Sequence, residues 1–115
     1  MSTYTLFHLR FESPFGRDIR FEPDKETVRL ALKAGDYEIA GVFDVQSDDA
    51  SDEVKLDEVF DASQNIHESW VTSGQNLKAV PIWSRNNPRS TSVGDVIIDP
   101  NAQRWIVLNM GFGKL

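Results

Sequence analysis

Ten carboxylates and one lysine lie between Asp36 and Asp61: Asp36, Glu38, Asp44, Asp48, Asp49, Asp52, Glu53, Asp57, Glu58 and Asp61, against Lys55. The stretch carries −9, while residues 1–35 sum to +1 and residues 62–115 to +2, so the net charge of −6 belongs to one segment. A field of that sign attracts a basic surface, including one that normally holds nucleic acid. Asp48, Asp49, Asp52, Glu53, Asp57 and Glu58 are therefore the first candidate partner-binding surface. The plainer reading is a solvated face that keeps the chain soluble. Asp48, Asp49, Asp52 and Glu53 offer the oxygen ligands of a weak calcium site, but the order from Asp48 to Asp57 lacks the central glycine of an EF-hand loop. No metal site is expected.

The second candidate is a polar loop beside a tryptophan: Trp83, then Arg85, Asn86, Asn87, Arg89, Ser90, Thr91 and Ser92. Arginines, amides and hydroxyls in that density suit a phosphate or a second protein, with Trp83, Arg85, Arg89, Ser90 and Ser92 as the contacting residues. The plainer reading is a loop that leads into a hairpin.

Catalytic constellations are missing. His8 alternates with apolar neighbours, so it faces solvent or sits satisfied in a sheet; His67 follows a helix end, where the dipole favours a cation. There is no HExxH, no GxSxG and no cysteine. Gly111-Phe112-Gly113-Lys114 has neither Walker spacing nor a following helix. The expectation is a non-enzyme with no catalytic residues and no cofactor.

The elements that must position these residues follow from periodicity. Residues 3–11 read as a strand with a slip near Phe7 that is compatible with a bulge, and 37–45 as a second strand interrupted at Gly41, the sign of a bulge or a close contact. Residues 23–34 read as a helix, with Asp24 and Glu26 in its first turn, Val28, Leu30 or Ala31, and Leu32 on its apolar face, and Gly35 closing it. Ser51 or Asp52 caps a second helix that ends near 63–64, with a narrow stripe of Val54, Leu56 or Val59, and Phe60. Residues 65–76 read as irregular, with Trp70 and Val71 as anchors. Pro81 demotes 77–83 to an edge strand. Residues 93–98 and 104–110 form the clearest strand pair, joined by a five-residue loop at 99–103. One α+β domain is expected: a mainly antiparallel sheet of about five strands with two helices.

At 115 residues without cysteine, one core suffices without disulfides, which points to a reducing, cytoplasmic setting. The N-terminus lacks the apolar run of a signal peptide, and no stretch approaches a membrane span.

The run Arg89-Ser90-Thr91-Ser92-Val93-Gly94-Asp95-Val96-Ile97, with Gly111 and Phe112 closing the hairpin, resembles a segment of small proteins from plasmids, phages and haloarchaeal or bacterial genomes. Leu56-Asp57-Glu58-Val59-Phe60, Gln64-Asn65-Ile66 and Ser69-Trp70 extend the likeness over residues 54–113, which is similar to the YodL-like domain of mobile elements. The resemblance implies no activity. It implies a mobile-element accessory protein that binds host machinery. The leading expectation is thus a non-catalytic interaction protein that meets a host or element protein with a basic surface, in an anti-defence or DNA-mimic mode in its sharpest form. Its rival is a nucleic-acid accessory module using Arg85, Arg89 and Arg104, with Trp83 and Trp105 as stacking platforms.

Overall fold

Alternation of apolar side chains brings the two longest strands together, β1 (Ser2–Leu9) and β2 (Tyr37–Val45), paired antiparallel along their whole length. The computed structural model describes residues 2–45, 51–64, 79–84 and 89–115, with backbone alone at residues 2 and 79–84. The acidic loop at 46–50, the stretch at 65–78 with His67 and Trp70, and the loop at 85–88 lie outside the described residues. Four further strands complete the sheet: β3 (Ala79–Ser84), β4 (Val96–Ile98), β5 (Arg104–Val107) and β6 (Phe112–Lys114). Their order is β3-β2-β1-β4-β5-β6, and every neighbouring pair is antiparallel. Three helices accompany them: α1 (Gly16–Phe21), α2 (Lys25–Lys33) and α3 (Asp52–Ala62). The α+β architecture is as expected, with β6 and α1 added to the expected elements.

Both expected irregularities are one bulge. Leu6 pairs with Gly41 and Phe7 with Ile39, which leaves Ala40 as the extra residue on β2. A bulge reverses the facing of everything beyond it. Tyr37 packs with Leu9 in one core, whereas Phe43 and Val45, also odd-numbered, pack with Tyr4 and Leu6 in the other.

A core forms on each face of the sheet. On one, Ile19 of α1 and Val28 and Ala31 of α2 meet Leu9, Tyr37, Val96 and Ile106. On the other, Leu56, Val59 and Ala62 of α3 meet Tyr4, Leu6, Phe43, Ile97 and Val107. The α3 stripe therefore differs from the expected one. Leu56, Val59 and Ala62 recur at the helical i, i+3, i+6 spacing, while Val54 is 45% exposed. On α2, likewise, Ala31 is buried and Leu30 is 51% exposed.

Local capping agrees with these boundaries. Asp24 stands outside α2 as its N-cap, its carboxylate accepting from Thr27 N at 3.1 Å, so the helix starts at Lys25 and not at Pro23. Ser51 caps α3 through Val54 N at 3.4 Å. The 99–103 loop joins β4 to β5 as expected: Asp99 Oδ1 accepts from Asn101 N and Gln103 N, both at 2.9 Å. β3 lies at the sheet edge, where Pro81 costs no ladder bond. Helix α1 has six residues and one fully buried apolar side chain, Ile19, too little for a periodic signal. Among the described residues, no helix is long and apolar enough to cross a membrane.

The place where α1 crosses the sheet generates a prediction. Gly94 has φ +93°, and a Cβ there would lie 2.5 Å from Ile19 Cγ2. Strained backbone and forced overpacking combine, so Gly94→Ala should lower unfolding free energy by about 2–4 kcal/mol in urea denaturation. Gly35, at φ +79° with open space around it, provides the comparison. Its alanine variant bears only the conformational penalty, roughly 1–2 kcal/mol. Equal losses at both sites would remove the role assigned to the Ile19 contact.

Candidate partner-binding site

The segment 89–95 is where the elements converge, and its charges turn inward. Asp95 has no exposed surface. Its Oδ1 accepts from Leu9 N at 2.9 Å and Arg89 Nη2 at 2.7 Å; Oδ2 accepts from Ser92 N at 2.8 Å and Arg89 Nη1 at 2.7 Å. The two charges thus form a bidentate pair, the strongest geometry open to guanidinium and carboxylate. Arg89 Nη1 also donates to Ser90 O at 2.9 Å and Nη2 to Leu9 O at 3.0 Å. Four inward acceptors match the four N–H bonds of its terminal nitrogens.

Neighbouring residues tie this pair to both layers. From α1, Arg20 reaches Ser92 Oγ and Val93 O, with Nη2 3.7 Å from Asp95 Oδ1. Burial lowers the Arg20 guanidinium from its ordinary value; Asp95 opposes that shift and Arg89 adds to it. The Tyr37 hydroxyl donates to Gly94 O. On the α3 side, Thr91 N donates to Ser63 O at 3.0 Å and Gln64 Nε2 to Thr91 O at 3.0 Å. His8, 4% exposed, bonds Thr91 Oγ1 through Nε2 at 2.9 Å. The same nitrogen lies 4.0 Å from Asp95 Oδ2. One ring nitrogen faces both groups, and Thr91, at 2% exposure, keeps its hydroxyl inside the protein.

The candidate loop residues thus divide. Arg89 is held inward, Ser92 accepts from Arg20 and supports Asp95 through its N–H, and Ser90 lends its carbonyl to Arg89. Trp83 lies on β3, where only backbone is described, and Arg85 lies outside the described residues. Trp105, expected as a stacking platform, is 6% exposed: its Nε1 donates to Asp99 Oδ2 at 3.0 Å, and Lys114 Nζ lies 5.3 Å from its ring centroid. A ring so enclosed has no face for an incoming base.

The acidic candidates divide as well. Asp48 and Asp49 lie outside the described residues. Asp52, Glu53 and Asp57 are exposed on α3, joined by Asp61, which the expected site had omitted although it stands one turn from Asp57. Glu58 corrects the expectation: at 8% exposure it belongs to the inner side of α3, beside Leu56 and Val59, and not to the acidic face. Burial raises the Asp61 carboxyl above its ordinary range, and Asp57 adds to that by repulsion. Among the described residues, no group of three or more histidine or acidic side chains is placed to hold a metal ion. A comparison with known proteins returns no match: no family model, no curated protein and no solved structure is similar to the chain.

Two predictions follow from the buried charges. Arg89→Met removes the bidentate partner of Asp95 and leaves it Arg20 and two backbone N–H groups, so it should cost about 2–3 kcal/mol in chemical denaturation, less than the loss of a fully buried partner. Adding Asp95→Asn to that variant should return part of the loss, the mark of a coupled pair. Additive losses would contradict the pairing. The second prediction concerns the phenols. Burial pushes Tyr4 up to about 12, with Asp52, Asp99 and Glu58 adding to the shift, and raises Tyr37 further in the same direction, helped by Asp95. Raised native values mean this contribution is complete below about pH 10, where unfolded tyrosine ionises, and is lost as pH climbs through the native values. Ultraviolet titration should show both phenols ionising late and together with loss of circular dichroism. Ionisation near pH 10 in an intact fold would contradict their burial.

Proposed function

We propose that the chain is a non-catalytic accessory protein of a plasmid, phage or integrated element, of YodL-like kind, that binds a basic surface on a host or element protein through the outer face of α3. The observation that carries this reading is where the carboxylates fall on that helix. Asp52 and Glu53 occupy the first turn, where the helix dipole favours anions. Asp57 stands at the middle and Asp61 one turn further on, in the last turn, where the dipole disfavours an anion and no basic residue stands. Like charges at i, i+4 also repel, by roughly 0.2–0.5 kcal/mol. Helix α2 of the same chain is built the other way, with Glu26 first and Lys33 last. A local rule kept in one helix and broken on the exposed face of another supports a site that a basic partner completes.

An ordinary basic protein surface suits this helix better than a groove shaped for duplex DNA. Eleven residues span about 16 Å, over which a duplex carries roughly nine or ten charges. The exposed face of α3 offers four. DNA mimicry in an anti-defence role therefore falls behind simple charge-steered docking. A cytoplasmic setting is part of the proposal, in keeping with a cysteine-free chain. The nucleic-acid reading loses support, because Arg89 is held by Asp95 and Trp105 is enclosed.

Neutralising the face, with Asp52→Asn, Glu53→Gln, Asp57→Asn and Asp61→Asn together, tests the reading. Affinity capture from host lysate should recover a salt-sensitive partner with the wild type and lose it with the variant. An Arg17→Gln control, on α1 across the sheet, should keep it. The variant should also match the wild type within about 1 kcal/mol near neutral pH, because the repulsion relieved offsets the dipole stabilisation lost at Asp52 and Glu53; any difference should vanish at acid pH, where the carboxyls are protonated. Partner recovery unaffected by the four substitutions would remove the acidic face from the function.

A further inference from the structure

Beside the acidic face, an open cleft of about 180 Å³ lies between α3 and the turn that joins β5 to β6. Phe60, Leu108 and Phe112 supply its apolar surface, Asp57 stands on the helical lip, and Gly111 and Asn109 form the opposite lip. Drug-sized ligands and nucleotides occupy about 300–1,000 Å³, so this cleft holds one side chain. We propose that it receives an arginine side chain from the partner protein, its methylene stem against Phe60 and Phe112 and its guanidinium on Asp57, with Asp61 one turn further along. The inference rests on the acidic-face reading and names the group that anchors it.

Three observations converge. The aromatic residues at the cleft, Phe60 and Phe112, are only partly buried and pack on the edge of the α3 core, so ring surface is left for a stem or a stacked guanidinium. Charge is complementary: Asp57 and Asp61 repel one another, and the last turn of α3 holds no cation. Met110, between the lining residues Asn109 and Gly111, is 91% exposed, a large flexible apolar side chain held in solvent on the same turn. Arginine suits the cleft better than lysine because its planar group meets a carboxylate in two bonds and stacks on aromatic rings, whereas an ammonium does neither.

The test is a nuclear magnetic resonance titration of the full chain with three capped tripeptides, Gly-X-Gly, in which X is arginine, lysine or citrulline. The arginine peptide should shift the amides of 57–61 and 108–112 saturably, the lysine peptide more weakly, and the uncharged citrulline peptide hardly at all. Asp57→Asn should weaken the arginine peptide about fivefold, the effect of one exposed-to-half-buried ion pair. Asp52→Asn with Glu53→Gln should weaken it by less than Asp57→Asn does, because Glu53 stands one turn before Asp57 and adds only a screened attraction with no direct bond to the guanidinium. Shifts centred on Asp52 and Glu53, lost with that pair of substitutions, would overturn the cleft while leaving the acidic face in place. No saturable shift at either location would overturn both.

Discussion

Asp95 sits with no surface exposed immediately before β4, and a carboxylate there must be met by donors from every side or the fold fails. Bare burial of such a group costs several kcal/mol, so the neighbours it recruits decide where the surrounding elements lie. Arg89 supplies both terminal nitrogens, and Leu9 and Ser92 supply backbone N–H groups. The same few residues then reach outward: Arg20 fastens α1, Tyr37 fastens β2, and Thr91 fastens the end of α3. One buried charge thus joins both helical layers to the sheet. Hydrophobic isosteres of equal shape can replace such a pair without loss of stability. Its value here lies in specifying the path of 89–95, which has little regular structure of its own.

That arrangement also sorts the charges of the protein into two kinds. Arg20, Arg89 and Asp95 form an inner set whose hydrogen-bonding capacity is turned toward the protein. Asp52, Glu53, Asp57 and Asp61 form an outer set on one helix, where no compensating cation stands in the last turn. Inner charges hold position because each is matched; outer charges are available because they are not. A segment rich in arginine and serine can thus look like a binding loop and serve as a clamp. The exposed acids of α3, by contrast, stand on a short helix whose other side is buried in the core.

Much of the fold was legible in advance. The bulge was signalled twice, by the slipped period at Phe7 and by Gly41, which stand on the two strands at the one place where the register shifts. The Ser51 cap, the edge position forced by Pro81 and the 99–103 hairpin loop were legible for the same reason: each depends on backbone chemistry within a few residues. Where the sequence reading failed, the deciding partner was distant. Val54 and Leu30 looked as apolar as Leu56 and Ala31, and only the direction in which each helix meets the sheet left the former exposed. Glu58 counted as one more surface acid until the tilt of α3 placed it inside. Helix α1 was missed because a single buried side chain, Ile19, holds it, and one residue has no period.

The sequence by itself determined the class of fold, the strand alternation, the principal caps and turns, and the concentration of negative charge in one segment. These follow from local conformational preference and from composition, which do not depend on what lies across the molecule. Only the tertiary structure decided which charges face inward. Arg89 and Asp95 are six positions apart, and Leu9, which meets both, lies some eighty residues away. Whether a guanidinium is a ligand-binding group or an internal clamp depends on acceptors brought by distant strands, so the chain had to fold before the question had an answer.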